Sequence, residues 1–414
     1  MKIAVQKFGG TSVADETKRH QALQRIQEAL TEGYRVVVVV SAMGRKGAPY
    51  ATDTLLSLIP PVELPEREKD LLLVCGEIIS AVVMTASLHR AGIDGVCLTG
   101  WQAGIITSSH FGDARIIRVE TERLLTELQR GPVVVVAGFQ GMDEKGEITT
   151  LGRGGSDTSA VAIGAALMAD VVDIFTDVEG IYTADPRLVA DAKILNKVTY
   201  REVSQLALEG AKVIHPRAVE IAMKHRLPLR VRSTEKASKG TSIGGTKDSA
   251  GGTMDFCSGR LITGIAHTAP ITQIKIDISP WPDPRAISQQ VFLAMADAGI
   301  SVDFINVSPK VVIFTVPDEV TAKATRVLEE QGLCQEVHQE CAKVAVVGVN
   351  MTGVPGVMAQ IVVALNRENV QILQSADSYT TIWCLIRARD LARALNALHR
   401  QFCLEVETGQ TCYP

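Results

Sequence analysis

A chain of 414 residues has room for two or three domains with sizeable cores. Hydrophobic residues make up 46% of it and charged residues 21%, which excludes a disordered or collagen-like chain. With 42 basic against 46 acidic residues the net charge is −4, so no global attraction to nucleic acid or to an anionic membrane is expected. The opening Met1-Lys2-Ile3-Ala4-Val5 reads as a strand and lacks the basic and apolar regions of a signal peptide. Apolar runs such as 36–40 and 158–169 fall far short of the roughly 20 residues of a membrane helix. The eight cysteines are scattered, with no C-x-x-C pair and no metal-type spacing, so they are expected to be reduced thiols. These features predict a soluble cytoplasmic protein.

Strands are predicted over 3–8, 36–41, 95–99, 133–139, 172–176 and 229–231. Helical periodicity is read over 22–32, 69–91, 114–129 and 156–168. The unbroken run Val36–Val40 makes a poor helix and a good central strand. Near-continuous apolar strands alternating with helices predict an open, mostly parallel α/β/α sandwich over 1–232. Residues 233–260 turn polar and glycine-rich and read as a linker. Beyond them Val291, Ala294, Met295, Ile300 and Val302 match Ile361, Ala364, Leu365, Val370 and Ile372 at a constant offset. A ferredoxin-like βαββαβ module of about 70 residues, present twice over 261–341 and 342–414, accounts for this. Its predicted strands are 273–278 and 343–349 before the helices, and 301–307 and 371–376 after them.

Three segments have the composition of ligand-binding turns. Lys7-Phe8-Gly9-Gly10-Thr11-Ser12 follows the first strand: glycines let N–H groups face an anion and a lysine stands beside them. The residues alone suit an ordinary strand-to-helix turn equally well. Gly152-Arg153-Gly154-Gly155-Ser156-Asp157 sets an arginine, suited to a carboxylate or phosphate, among glycines at a helix start. Thr176-Asp177 through Arg187 packs acid, aromatic and base into a loop at a strand end, where open α/β sheets bind ligands. No Ser-His-Asp, Cys-His or G-x-G-x-x-G pattern favours a hydrolase or dehydrogenase. His215, taken alone, reads as a structural histidine.

Together these segments resemble the aspartokinases of the amino-acid-kinase family. The resemblance rests on KFGGTSV at 7–13, VVVVSAMG at 37–44, GE at 76–77, GRGGSDTSA at 152–160, FTDVEGIYTADPR at 175–187 and GAKVIHPRAVE at 210–220. The C-terminal modules resemble paired ACT domains, with PGVMAQIVVAL at 355–365 and ILQSADS at 372–378. The segments around SAMGRKGAPYATDTLL and ILQSADSYTTIW are most similar to the diaminopimelate-sensitive form of bacilli.

The resemblance implies transfer of the γ-phosphoryl of ATP to the β-carboxylate of L-aspartate, with Mg2+ carried on the nucleotide and no protein side chains assigned to the metal. It implies that Lys7 neutralises the phosphoryl group, that Phe8, Gly9 and Gly10 cradle it, and that Asp157 holds Lys7. Ser41, Thr52, Glu77, Arg153 and Ser156 would contact the substrate, Arg153 through its α-carboxylate and Glu77 through its ammonium. The placement of Thr52 depends on the inserted Arg45–Ala51. Thr176, Asp177, Tyr182, Arg187 and Lys212 would hold the nucleotide. An end-product amino acid would bind the ACT modules near Asp283, Arg285, Ile300, Asn306, Val354, Pro355, Gly356, Gln374 and Ser375. Meso-diaminopimelate is the favoured effector, with lysine or threonine as the alternative. A monofunctional homodimer is expected, with neither nucleic acid nor membrane as a partner. Another amino-acid kinase and a non-catalytic amino-acid sensor are the competing readings.

Overall fold

All five valines of Val36–Val40 are buried. Val36, Val38 and Val40 point into one hydrophobic cluster, with Ile26, Met84, Leu88 and Phe175. Val37 and Val39 face the opposite side, because side chains alternate along a strand. A strand buried on both faces needs helices on both sides, which is the geometry of a parallel sheet. The computed structural model describes residues 1–60, 62, 64–211, 213–247, 253–255, 261–349, 351 and 354–406. The chain forms two compact units: Met1–Ile181, Ile194–Leu208 and Lys212–Ser258 make one; Tyr182–Lys193, Glu209–Ala211 and Gly259–Pro414 make the other.

The first unit begins with β1 (Ile3–Phe8), α1 (Glu16–Thr31), β2 (Arg35–Val40), α2 (Thr52–Leu56), α3 (Glu66–Arg90) and β3 (Gly95–Leu98). Next come β4 (Ile105–Thr107), β5 (Ile116–Val119), α4 (Glu122–Arg130), β6 (Val133–Ala137), β7 (Gln140–Asp143) and β8 (Ile148–Thr150). It ends with α5 (Gly155–Ala166), β9 (Val171–Thr176), β10 (Lys197–Val198), α6 (Tyr200–Leu208), α7 (Pro216–His225), β11 (Leu229–Ser233) and β12 (Thr241–Ile243). A hairpin of β13 (Gly245–Lys247) and β14 (Thr253–Asp255) follows. The main sheet has the order β10-β12-β11-β9-β1-β2-β6-β3, and only the β11–β12 pair is antiparallel. Helices α1 and α3 cover one face, and α5 packs on β1 and β9 on the other. Gly164 permits that approach: a Cβ there would lie 2.5 Å from Val172.

The predicted α/β/α sandwich is present, with differences in detail. The stretch 114–129 is not one helix: its β-branched start, Ile116–Val119, pairs with β4, and helix begins only at Glu122. A separate four-stranded sheet, β5-β4-β7-β8, leaves no mark in the sequence pattern because its strands are only three or four residues long. The segment read as a linker from 233 starts inside the main sheet, since Ser233 ends β11 and Thr241–Ile243 forms β12. Helix α3 has the length and apolar composition of a membrane span. It nevertheless buries Asp70 and Glu77 and packs on β3, β6 and β8.

The second unit contains one six-stranded antiparallel sheet, ordered β16-β17-β15-β18-β20-β19. Its elements are β15 (Ile262–Asp277), α8 (Pro284–Asp297), β16 (Asp303–Val307), β17 (Val311–Pro317), α9 (Thr321–Glu330), β18 (Gln335–Gly348), α10 (Val357–Arg367), β19 (Gln374–Asp377), β20 (Thr381–Arg387) and α11 (Leu391–Gln401). The repeat is real, but the two modules are not consecutive. The later part of β15 pairs with β17 and with the start of β18. The earlier part, from Ile262 to Thr268, pairs with the end of β18, from Lys343 to Gly348. The strand completing the second module therefore precedes the first one, and Ile262 and Ile265 lie in the second module's core with Ile361, Leu365 and Leu398. The first module has its own core around Ile274, Val291, Phe314 and Leu328.

Candidate active site

The C-terminal ends of β1, β2 and β9 meet at the first glycine turn. Gly10 is squeezed there, since a Cβ would lie 2.4 Å from the Ala42 carbonyl oxygen and 2.7 Å from that of Gly44. The Gly44 N–H donates to the Gly10 carbonyl at 2.9 Å, and the Ser41 N–H donates to that of Phe8 at 3.1 Å. Gly9 lies beside the Lys7 ammonium, which a Cβ would approach to 3.5 Å. The Phe8 ring is fully buried and stacks on Phe175 at 4.8 Å, so its side chain belongs to the core rather than to a ligand.

Lys7 Nζ stands 2.7 Å from Asp157 Oδ1, with both side chains largely buried. The approach is off the hydrogen-bonding direction, so the attraction is chiefly between charges. The other Asp157 oxygen accepts the His215 N–H at 3.2 Å. Asp157 lies in the first turn of α5, where the helix dipole favours its negative charge. Ser156, beside it, is buried. Arg153 precedes that helix on an exposed turn and makes no hydrogen bond or ion pair within the described residues.

Glu77 comes from the middle of α3 and is 2% exposed. One carboxyl oxygen accepts the Ala42 N–H at 3.1 Å, while the other is buried without a partner. Burial pushes its pKa up to about 8 against the smaller opposing pull of the Ala42 N–H. That shift favours the protonated carboxyl at neutral pH. Gly76 leaves room for the loop over the helix, as a Cβ would come within 2.9 Å of the Tyr50 carbonyl. Thr52 opens α2 at the end of that loop; it is Thr54 that accepts the Gly47 N–H, at 3.0 Å.

Thr176 ends β9 and donates to Asp177, whose other oxygen pairs with Arg45 at 2.6 Å. A cavity of about 530 Å³ adjoins them, lined by Thr11, Ser12, Lys18, Arg45 and Thr234 among others. Tyr182 and Arg187 belong to the second unit, where Arg187 pairs with Asp185 at 2.7 Å. Lys212 lies outside the described residues. No three His, Cys, Asp or Glu side chains converge as a metal site among the described residues.

Residues to which the sequence reading gave no ligand role complete the picture. His215 caps α7 and fixes Asp157 through its backbone, and burial lowers its ring pKa. Arg45, Asp113 and Arg217 also enter. His215 and Arg217 stand in the GAKVIHPRAVE motif, but their pairing with Asp157 and Asp113 joins residues through space and leaves no mark in the sequence.

In the second unit Val354, Gly356 and Ser375 line a cavity of about 480 Å³ with Met351, Met358, Asp377 and Ile382. The other expected effector contacts are elsewhere or differently engaged. Ile300 is 6% exposed in the first module's core and presents no side chain to a ligand. Asp283 caps α8 and Arg285 is almost fully exposed. Asn306 lies on edge strand β16, and Gln374 hydrogen-bonds Gln273 and the Phe304 carbonyl.

A glycine turn beside an ion-paired lysine, a buried acid of raised pKa and a guanidinium without a partner among the described residues suit a phosphoryl group and a small zwitterion. Residues 2–233 match the amino acid kinase family, and residues 336–400 match an ACT domain. The chain is 53% identical to Aspartokinase 1 of Bacillus subtilis, covering 97% of this chain and 99% of that one. It is 39% identical to the aspartokinase of Geobacillus stearothermophilus, covering 99% of both. The structure of Escherichia coli aspartokinase III in complex with aspartate and ADP matches with a TM-score of 0.75 at 25% identity, covering 97% of this chain and all of that one. The chain belongs to the aspartokinase family.

Proposed function

We propose that this enzyme transfers the γ-phosphoryl group of MgATP to the β-carboxylate of L-aspartate, giving 4-phospho-L-aspartate and ADP. The observation that carries the reading is the charge arrangement at the glycine turn, on a chain alike along its whole length to aspartokinases. A carboxylate is already a nucleophile at neutral pH, so no general base is required. Catalysis then consists of aligning two anions and offsetting the charge on the transferring group. Lys7 supplies that charge, Asp157 holds it at the turn, Gly9 leaves space for a phosphate oxygen beside the ammonium, and Gly10 lets the turn pack on the 42–44 segment. Ser41 borders them, and Thr176 and Asp177 contact the nucleotide. Arg153 takes the α-carboxylate and Glu77 the ammonium, so an amino acid is preferred to a plain dicarboxylic acid. Magnesium enters as part of the MgATP substrate.

The ACT modules would bind an inhibitory amino acid, and the Val354–Gly356–Ser375 cavity supports that location. Meso-diaminopimelate is preferred because the segments around SAMGRKGAPYATDTLL and ILQSADSYTTIW resemble the diaminopimelate-sensitive form of bacilli. Lysine is a ligand of the Escherichia coli aspartokinase III structure that this chain resembles, and lysine or threonine is the alternative effector. Inhibition requires tighter effector binding to the inactive arrangement. Exposed Ile305 and Val307 on edge strand β16 support a homodimer formed through these modules.

Aspartyl phosphate trapped with hydroxylamine, with MgATP and L-aspartate, tests the reaction. Product that falls on adding diaminopimelate alone supports the whole reading. Inhibition by lysine or threonine changes the effector, and absence of product from folded protein overturns the reaction.

A further inference from the structure

Gly152 and Gly154 flank Arg153 with φ of +70° and +68°, and both are crowded. A Cβ on Gly152 would meet Asp113 Oδ1 at 2.7 Å, and one on Gly154 would meet the His215 ring at 2.2 Å. The turn is therefore gripped by what surrounds it. Arg217, in the first turn of α7, donates to both Asp113 oxygens at 2.7 and 2.9 Å, and to the Leu151 carbonyl at 3.3 Å. Asp113 is anchored in turn. The preceding Gly112 N–H donates to buried Asp70 at 3.0 Å, and the following Ala114 N–H donates to the Thr150 carbonyl at 2.8 Å.

We infer that Arg217 and Asp113 are positioning residues for the amino-acid substrate, setting the backbone from which Arg153 meets the substrate's α-carboxylate. The inference rests on the reading of Arg153 given under Proposed function. Asp113 is 64% and Arg217 33% exposed, so the pair adds little to stability by itself. Its forked geometry instead fixes a direction. A guanidinium on a long flexible stem reaches its target only if its root is held, and small displacements are costly in binding. The Arg217 guanidinium also holds the Asp113 carboxyl below its ordinary range.

Steady-state kinetics of the full chain would compare Arg217→Gln, Asp113→Asn, the double variant and Arg217→Lys, with Arg153→Ala alongside. Each single change is expected to raise KM for aspartate about tenfold or more while KM for ATP stays within about twofold. The double variant should be no worse than the weaker single, because both remove the same contact. Arg217→Lys should recover part of the loss. Unchanged KM for aspartate in both singles, with Arg153→Ala impaired, overturns the inference alone. If Arg153→Ala binds aspartate normally, the reading of Arg153 falls and the inference with it. Losses that follow the melting temperature and raise both KM values equally would mark a merely structural pair and also overturn it.

Discussion

Helix α3 buries two acids two turns apart, and they are treated in opposite ways. Asp70, near the start, is fully buried and saturated: it accepts the Gly112 N–H, the Thr150 N–H and the Thr150 hydroxyl. Glu77 accepts the Ala42 N–H and keeps its second oxygen buried and unpartnered. The same helix face thus carries an acid spent on holding one strand and a loop, and another held in reserve. A buried polar atom without a partner costs about 1–3 kcal/mol, a cost that the ammonium proposed above would offset.

That contrast can be broken most severely where charge is needed during turnover. Lys7→Met and Arg153→Ala should each lower turnover on the order of 10²–10³-fold, the scale of removing one preorganised charge. Near-normal rates in both would dismantle the site. At the saturated end, Asp70→Asn sets a side-chain amide against backbone donors. It should lower stability by about 2–3 kcal/mol, read by chemical denaturation. If it costs no more than a surface change, the contrast between the acids disappears.

Smaller effects sharpen the Glu77 half. Its folded pKa of about 8 lies above the ordinary 4.5, so between those values the native state holds a proton the unfolded chain has lost. Stability should therefore fall as pH rises through that window, by at most about 1.4 kcal/mol per unit, and Glu77→Gln should flatten the slope. Binding of an ammonium favours the ionised carboxylate. KM for aspartate should accordingly fall as pH rises from 6.5 toward 8, and a flat profile would detach Glu77 from the substrate. The smallest effect expected is at the second unit's cavity. Ser375→Leu should weaken inhibition by the effector about tenfold without changing uninhibited turnover, measured as a shift in the inhibition curve.

Local chemistry decided what could be read in the sequence. Lys7, Glu77, Arg153 and Asp157 stand in short motifs where glycines and charges are neighbours along the chain, and the valine strand declares its two-sided burial. The grip on Asp157 by the His215 N–H, and the fork between Arg217 and Asp113, join residues far apart in sequence through ordinary side chains. The repeat in the second unit was visible as matching helix and strand positions. Its strand exchange was not, because pairing between Ile262 and Gly348 leaves no periodic mark. The sheet of β4, β5, β7 and β8 escaped because three- and four-residue strands carry too little alternation to show.

That exchange bears on how the protein is made. During synthesis, residues 262–268 emerge before the entire first module, yet their partner in β18 follows it. The leading strand must wait through the appearance of α8, β16, β17 and α9 with one edge bare. Closing so long a loop slows folding. A chain interrupted after residue 341 would retain the ingredients of the first module and still display an unmatched strand from the second, an adhesive edge for another nascent chain.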